Sequence, residues 1–207
     1  ALLEAGVDVF RLNFSHGDFP SHKAMIRNLR KAARAAGRPV TVMADLPGPK
    51  IRIGELAREP IELRADRSVV LSTEEFAGDA KRLPVNFSRL PQVVSPGDML
   101  YLNDGYIQLE VKEVRGAEVV AQVLVGGGLR SRKGVNLPGI NLGISAFTDY
   151  DYRCLEFALE NGVDAVSQSF VQTVGDVHAV HEAAESLGRR TFVIAKIERS
   201  GALPHME

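Results

Sequence analysis

The sequence contains a single cysteine, Cys154, among its 207 residues. One cysteine excludes an internal disulfide framework and is typical of a reducing compartment, so we expect a cytoplasmic protein. Cys154 lies in a helical pattern and has no histidine near it in sequence. This setting favours a packing role over a role as a catalytic nucleophile.

The sequence also lacks an excess of charge of either sign and lacks any long hydrophobic run. Its 25 basic and 26 acidic residues nearly cancel, which argues against a general nucleic-acid-binding protein and against a membrane-surface protein. No run reaches the length of a transmembrane helix. The hydrophobic content of 45% is enough for a sizeable core, in one large or two small domains.

Two kinds of patterning divide the chain into three segments. Residues 1–52 and 133–207 alternate apolar strands with amphipathic helices, as parallel α/β units do. Residues 53–132 show little helical periodicity and contain short alternating runs between turn residues, for example Tyr106–Val114. We therefore predict an α/β domain that is interrupted by a small all-β module.

The run Thr191–Glu198, TFVIAKIE, is apolar on both faces until it reaches a lysine and a glutamate. This pattern predicts a strand buried inside a parallel sheet. Lys196 and Glu198 are two residues apart, so they project from one face at the carboxyl end of this strand. Because unpaired charges are costly to bury, the two either form a structural salt bridge or belong to a site for a metal and an anion.

Polar side chains also end the other predicted parallel strands. The complete set is Arg11, Asn13 and Ser15; Asp45; Ser167 and Ser169; and Lys196 and Glu198. The spacing i, i+2 and i+4 of the first three predicts that they share one face of their strand. In parallel α/β barrels the active site is built at the carboxyl ends of the strands. Polar ends on all of these strands are difficult to explain by stability alone, and together they favour an active site.

The motifs of this chain, taken in order, resemble those of the pyruvate kinase family. They are RLNFSHG at 11–17, DLPGPKIR at 45–52, NDG at 103–105, KGVNLPG at 133–139, SFV with a following DV between 169 and 177, and AKIE at 195–198. The resemblance covers essentially the whole chain. It implies a partial TIM (β/α)8 barrel with an inserted small all-β barrel domain, which falls where the mobile lid domain of the family sits.

The resemblance also implies a reaction and a set of roles. The family transfers a phosphoryl group from phosphoenolpyruvate to ADP and yields pyruvate and ATP, in the last step of glycolysis. Arg11 matches a contact to the substrate phosphate, and Lys196 matches the lysine that stabilises the transferring phosphoryl group and the enolate. Glu198 matches a carboxylate ligand of Mg²⁺ (or Mn²⁺), a cation that prefers oxygen. The expected nucleotide contacts are Asn13, His16, Arg52 and Lys133. A role in capping its turn is the alternative for His16.

A monovalent-cation site is the next implication of the resemblance. Asn13, Ser15 and Asp45 match the family's ligands for this cation. Many members need K⁺ and carry Thr-Lys after the aspartate, whereas this chain has Leu46-Pro47 there and Lys50 further on. It therefore resembles the K⁺-independent members, in which the lysine ammonium takes the place of the cation. We expect that K⁺ is not required.

The glycine run 126–128 is a different kind of candidate, because glycine-rich loops can bind phosphate. No helical pattern follows this run, so the sequence favours a flexible loop over a phosphate-binding loop.

We expect the chain to be a fragment that is inactive alone, because the family's second Mg²⁺ ligand and its later barrel strands have no counterpart here. The expected parent is a homotetramer, as is usual in the family, with no nucleic-acid or membrane partner. Two alternatives stay open. One is another enzyme on a phosphoenolpyruvate-type barrel, and the other is a catalytically silent homologue that acts as a binding or regulatory protein.

Overall fold

The computed structural model describes residues 1–206, apart from the side chain of Ser200. In chain order its elements are β1 (Val9–Asn13), α1 (Phe19–Ala36), β2 (Thr41–Leu46), β3 (Ile61–Leu63), β4 (Ser68–Ser72), β5 (Arg82–Pro84), α2 (Leu90–Val93), β6 (Met99–Leu102), β7 (Ile107–Arg115), β8 (Glu118–Val125), β9 (Gly127–Leu129), β10 (Val135–Asn136), α3 (Asp149–Glu160), β11 (Ala165–Gln168), α4 (Val174–Ser186), β12 (Phe192–Ala195) and a 3-10 helix (Ser200–His205). The fold is of the mixed α/β class. None of the helices within the described residues is both long and apolar enough to span a membrane.

The chain divides into two compact units. Unit 1 comprises Ala1–Pro49 and Ile144–Glu207, and unit 2 comprises Lys50–Gly143. Unit 2 is longer at both ends than the predicted insert 53–132, because the two connecting segments pair with each other. The N–H of Ile53 donates to the carbonyl of Lys133, and the N–H of Val135 donates to that of Ile51, each at 2.9 Å.

Unit 1 is built on a parallel sheet with the strand order β1-β2-β11-β12. One face of the sheet packs against the helices through a core that includes Leu12, Ala44 and Val166 together with residues of α1, α3 and α4. Because side chains alternate along a strand, the residues next to these three point to the opposite face. That face therefore presents Arg11, Asp45 and Ser167.

Helices α1 and α3 begin at capping boxes, which explains where they start. The side chain of Asp18 accepts a hydrogen bond from the N–H of Ser21 at the start of α1, and Thr148 accepts one from the N–H of Asp151 at the start of α3. In each pair the second side chain bonds back to the first residue's N–H. These bonds satisfy amide groups that have no partner inside the helix.

The last strand of the sheet differs from its prediction. The TFVIAKIE run was expected to be one buried strand through Glu198, but β12 ends at Ala195 and lies at the edge of the four-stranded sheet. Phe192 is 69% exposed. The prediction of a strand buried inside the sheet was therefore wrong for the described residues, because none of their strands pairs with the outer side of β12.

Unit 2 contains eight strands and one short helix, α2. Six strands form a sheet in the order β10-β6-β7-β8-β4-β5, and β3 pairs with β9. All pairings are antiparallel except that of β4 with β5. Alternating apolar residues of these strands, such as Leu71, Leu100 and Leu109, are fully buried and form a core of this unit.

The glycine run 126–128 is not a flexible loop, so that prediction was wrong. Residues 127–129 form β9, which pairs with β3 through Leu63↔Gly127 and Ile61↔Leu129. A Cβ atom on Gly126 would lie 2.2 Å from the carbonyl oxygen of Leu63. The glycine is therefore required for close approach of two backbones.

This close approach predicts that Gly126→Ala destabilises unit 2. Relief of the clash requires a backbone shift, so we expect a loss of about 2 kcal/mol in the free energy of unfolding. Gly128→Ala is the matched control, because its nearest neighbour would be 3.8 Å away. Thermal unfolding of both variants checks this. Equal midpoints for the two variants would contradict the prediction.

Candidate active site

The centre of the candidate site is the carboxylate of Asp45, at the carboxyl end of β2. Its side chain is only 2% exposed. Arg11 Nε donates to Oδ2 at 2.6 Å, and Arg11 Nη2 contacts the same oxygen. Ser167 Oγ and Lys196 Nζ donate to Oδ1 at 2.8 and 3.1 Å. Both oxygens of one buried carboxylate thus accept hydrogen bonds from side chains on β1, on β11 and directly after β12.

The sheet register explains why these residues meet. Asn13, Asp45 and Ser167 are aligned on β1, β2 and β11, so their side chains point to the same face of a parallel sheet. Lys196 lies one residue beyond β12, and its N–H still donates to the carbonyl of Gln168 at 3.0 Å. The prediction that polar strand ends converge holds for the residues that these contacts join. They are Arg11, Asp45, Ser167, Ser169, Lys196 and Glu198.

The hydrogen-bonding partners of Asp45 lower the pKa of its carboxyl group. Burial by itself raises the pKa, but the hydrogen bonds from Ser167, Arg11 and Lys196 together outweigh it. The net effect is a pKa below the usual value of an aspartate. Asp45 is therefore ionised near neutral pH and provides a negative charge between two cations.

Lys196 joins two further groups to this centre. Its ammonium donates to Ser169 Oγ at 2.7 Å and lies 3.4 Å from Glu198 Oε1. Ser169 Oγ in turn donates to the carbonyl of Leu46 at 2.6 Å. Glu198 Oε2 accepts a hydrogen bond from the N–H of Phe170 at 3.1 Å. The side chain of Glu198 is 38% exposed, so its oxygens are accessible to a ligand.

The residues expected after β1 are arranged locally. Asn13 Oδ1 accepts a hydrogen bond from the N–H of Ser15 at 3.0 Å, and the N–H of His16 donates to the carbonyl of Asn13 at 3.1 Å. Ser15 lies in this turn and not on the strand, so the expectation that it shares a strand face with Arg11 and Asn13 was wrong. The side chain of His16 is exposed, while His22 Nε2 contacts its backbone carbonyl at 2.9 Å.

Three further predicted residues, Lys50, Arg52 and Lys133, belong to unit 2. A β-bridge joins Arg52 to Gly134, so Arg52 and Lys133 lie on neighbouring backbone segments. The N–H of Arg52 also donates to Asn86 Oδ1 at 2.7 Å. Arg52 and Lys133 are 81 residues apart in sequence (133 minus 52) and are brought together by this pairing.

A divalent cation fits the donor chemistry of Glu198 but not that of Asp45. Glu198 is a partly exposed carboxylate with one hydrogen bond from a backbone N–H, and Mg²⁺ prefers such oxygen donors. Both oxygens of Asp45 already accept from cations and a hydroxyl. Within residues 1–206, no group of three or more His, Cys, Asp or Glu side chains is arranged to hold a metal ion.

Comparison with known proteins identifies the relatives of this chain. The family model described as the barrel domain of pyruvate kinase matches residues 1–207. A pyruvate kinase of Thermococcus litoralis is 45% identical over 206 residues, one of Mycobacterium intracellulare is 41% identical over 207, and one of Geobacillus stearothermophilus is 37% identical over 209. The chain belongs to the pyruvate kinase family. All of it is matched, and it spans 43%, 44% and 36% of these three relatives.

The sequence of this pyruvate kinase family member did not predict one contact of the site, the hydrogen bond from the N–H of Phe170 to Glu198. The N–H of Phe170 bonds to Glu198 because Phe170 adopts a positive φ of 60°. A phenylalanine gives no sequence signal for this conformation, which favours glycine. The SFV motif marked the position without indicating the role of its backbone.

The lowered pKa of Asp45 predicts a loss of stability in acid. The unfolded carboxyl group protonates first, so the stability contributed by Asp45 is present above about pH 4 and is lost as the pH falls through the folded pKa. Asp45→Asn is expected to reduce this pH dependence and to cost about 2 kcal/mol near neutral pH. Thermal midpoints across this pH range test it. Asp8→Asn, at an exposed residue, is the control, and equal acid dependence of both variants would contradict the prediction.

The interior position of Cys154 predicts an unreactive thiol. Cys154 is fully buried, and burial raises the pKa of its thiol to about 12, although a hydrogen bond with Tyr150 lowers it in part. Iodoacetamide should leave Cys154 unmodified in the native protein and alkylate it after urea unfolding. Peptide mass spectrometry measures both states. Rapid labelling of the native thiol would contradict the packing role.

Proposed function

We propose that the full-length protein transfers a phosphoryl group from phosphoenolpyruvate to ADP and forms pyruvate and ATP. The observation that carries this proposal is the cluster of Arg11, Lys196 and Glu198 around Asp45, in a chain of the pyruvate kinase family. The cluster lies at the carboxyl ends of parallel strands, where α/β barrels carry their active sites.

The charges of this cluster support a reaction that needs a metal ion. Arg11 and Lys196 are balanced by Asp45 and Glu198, so the four side chains have no net charge. A site of zero charge attracts a phosphorylated anion only weakly. Mg²⁺ (or Mn²⁺), when held by Glu198, would supply the missing positive charge and polarise substrate oxygens.

Two side chains of unit 1 have the roles of binding and charge stabilisation. The contacts of Arg11 with Asp45 use Nε and Nη2, and its side chain is 53% exposed. Its remaining donors suit the oxygens of the substrate phosphate. Lys196 is 28% exposed and is held by Asp45 and Ser169, so its ammonium is placed in advance to stabilise the transferring phosphoryl group and the enolate.

The proposal extends to the nucleotide and to the wider protein. Arg52 and Lys133 are inferred to bind nucleotide phosphates, which is supported by their position on paired segments of unit 2. Asn13 and His16 are inferred to contribute from unit 1. Unit 2 would act as the lid, with its strands forming a small β barrel. The whole protein would be a cytoplasmic homotetramer.

Independence from K⁺ is also part of the proposal. It rests on the resemblance to K⁺-independent members, in which a lysine that Lys50 matches replaces the monovalent cation, and Asn13, Ser15 and Asp45 match the ligands of that cation. A second feature supports it, because Arg11 and Lys196 already compensate the carboxylate of Asp45.

The reaction is tested by phosphoenolpyruvate-dependent ATP formation in the full-length protein with Mg²⁺. Lys196→Met should lower kcat by roughly 1,000-fold, because it removes a charge that acts on the transition state. Lys23→Met, at an exposed position of α1, is the matched control and should retain wild-type activity. A folded wild-type protein without activity would contradict the proposal and favour a catalytically silent homologue.

The role of Lys50 is tested by adding KCl to the same assay. Wild-type activity should change little, whereas Lys50→Glu should become dependent on K⁺, because the fixed charge is lost and a cation must replace it. NaCl or tetramethylammonium chloride at equal ionic strength controls for screening. A large K⁺ stimulation of the wild type would contradict this part of the proposal.

A further inference from the structure

Directly after the last paired residues of β11 and β12, a bulge lies beside the candidate site. The N–H of Lys196 donates to the carbonyl of Gln168 at 3.0 Å, and the carbonyl of Lys196 accepts from the N–H of Val171 at 3.2 Å. In a regular parallel ladder, the residue whose carbonyl accepts from the N–H of Lys196 and the residue whose N–H donates to the carbonyl of Lys196 are two positions apart in sequence. Here they are three apart, so Ser169 and Phe170 together stand opposite Lys196. We call these two residues the Ser169–Phe170 bulge.

The bulge frees one backbone donor for a new partner. In a regular ladder the N–H of Phe170 would bond to the carbonyl of Lys196, a bond that Val171 makes instead. Phe170 adopts φ of 60°, and its N–H bonds to Glu198 Oε2 at 3.1 Å. A positive φ at a bulky residue is uncommon and is maintained only where the surroundings enforce it.

The surroundings of Phe170 provide that enforcement. Gly48 allows the ring to approach the backbone closely, because a Cβ atom there would lie 2.9 Å from Phe170 Cδ2. On the ring face, the guanidinium carbon of Arg199 lies 5.2 Å from the ring centre. The ring is therefore held by contacts that belong to the same unit.

The other residue of the bulge contacts the other charged side chain. Ser169 is buried, and its hydroxyl proton is donated to the carbonyl of Leu46 at 2.6 Å. This leaves the lone pairs of Ser169 Oγ to accept from Lys196 Nζ at 2.7 Å. One bulge thus holds Lys196 through a hydroxyl and Glu198 through an amide, while the two charged groups stay 3.4 Å apart.

We propose that the Ser169–Phe170 bulge is a positioning element that orients Lys196 toward the phosphoryl group and Glu198 toward the metal ion. The inference rests on the proposed function for the roles of Lys196 and Glu198. It adds that neither side chain is oriented by its own strand alone. Bulges next to active sites commonly redirect side chains in this way.

The Ser169 arm is tested with Ser169→Ala and Ser169→Thr in the full-length protein. Ser169→Ala removes the acceptor of Lys196, so kcat should fall roughly 10- to 100-fold while KM for phosphoenolpyruvate changes less than about threefold. Ser169→Thr retains a hydroxyl and should keep most of the wild-type kcat. Equal kcat for Ala and the wild type, or equal losses for Ala and Thr, would overturn this arm.

A second measurement on the same variants does not depend on kinase activity. An N-hydroxysuccinimide ester labels accessible amines, and peptide mass spectrometry reports the rate at Lys196 relative to the exposed Lys23. Ser169→Ala should raise this ratio several-fold over the wild type and over Ser169→Thr. An unchanged ratio would overturn the inference. If Ser169→Ala raises the ratio but the wild-type protein forms no ATP, the inference about the bulge stands and the proposed function fails.

The Phe170 arm is tested through the metal. Phe170→Val disfavours a positive φ because valine is β-branched, whereas Phe170→Gly keeps both the N–H and the conformation. Phe170→Val should raise the Mn²⁺ concentration for half-maximal activation roughly tenfold, and Phe170→Gly should remain much closer to the wild type. Binding of Mn²⁺ measured by electron paramagnetic resonance provides the readout without turnover. Equal effects of Phe170→Val and Phe170→Gly would show that metal binding depends on the ring and not on the backbone conformation of residue 170, and would overturn this arm.

Discussion

The buried carboxylate of Asp45 is the interaction on which the rest of the site depends. An ionised carboxylate with 2% exposure is strongly unfavourable without partners. Its partners are Arg11, Ser167 and Lys196, each from a different strand or strand end. Because all three must reach the same two oxygens, Asp45 fixes the relative positions of the cations that a phosphorylated substrate would meet.

The sheet makes this arrangement possible through the alternation of side chains. Leu12, Ala44 and Val166 pack against the helices, so their neighbours Arg11, Asp45 and Ser167 share the other face. The apolar core and the polar site are thus two faces of the same strands. A substitution that shifted the register of one strand by one residue would exchange the two sets, and it would disrupt core and site together.

The backbone contributes as much to the site as the side chains do. Lys196 and Glu198 lie beyond the last residue of β12, where strand geometry alone no longer determines their direction. The Ser169–Phe170 bulge supplies the missing constraints through one hydroxyl and one amide. In unit 2 a comparable constraint appears at Gly126, where the absence of a side chain allows two backbones to approach.

The sequence by itself determined the elements and the residue types of the site. Hydrophobic periodicity and motif order indicated the α/β segments, the β-rich insert, and the polar ends at Arg11, Asp45, Lys196 and Glu198. Only the tertiary structure decided that Asp45 is paired with both cations, that β12 lies at a sheet edge, that Ser15 leaves its strand and that the glycine run is a strand. The physical reason is that periodicity reports which face of an element is apolar, whereas pairing partners, bulges and backbone contacts arise between segments far apart in the chain.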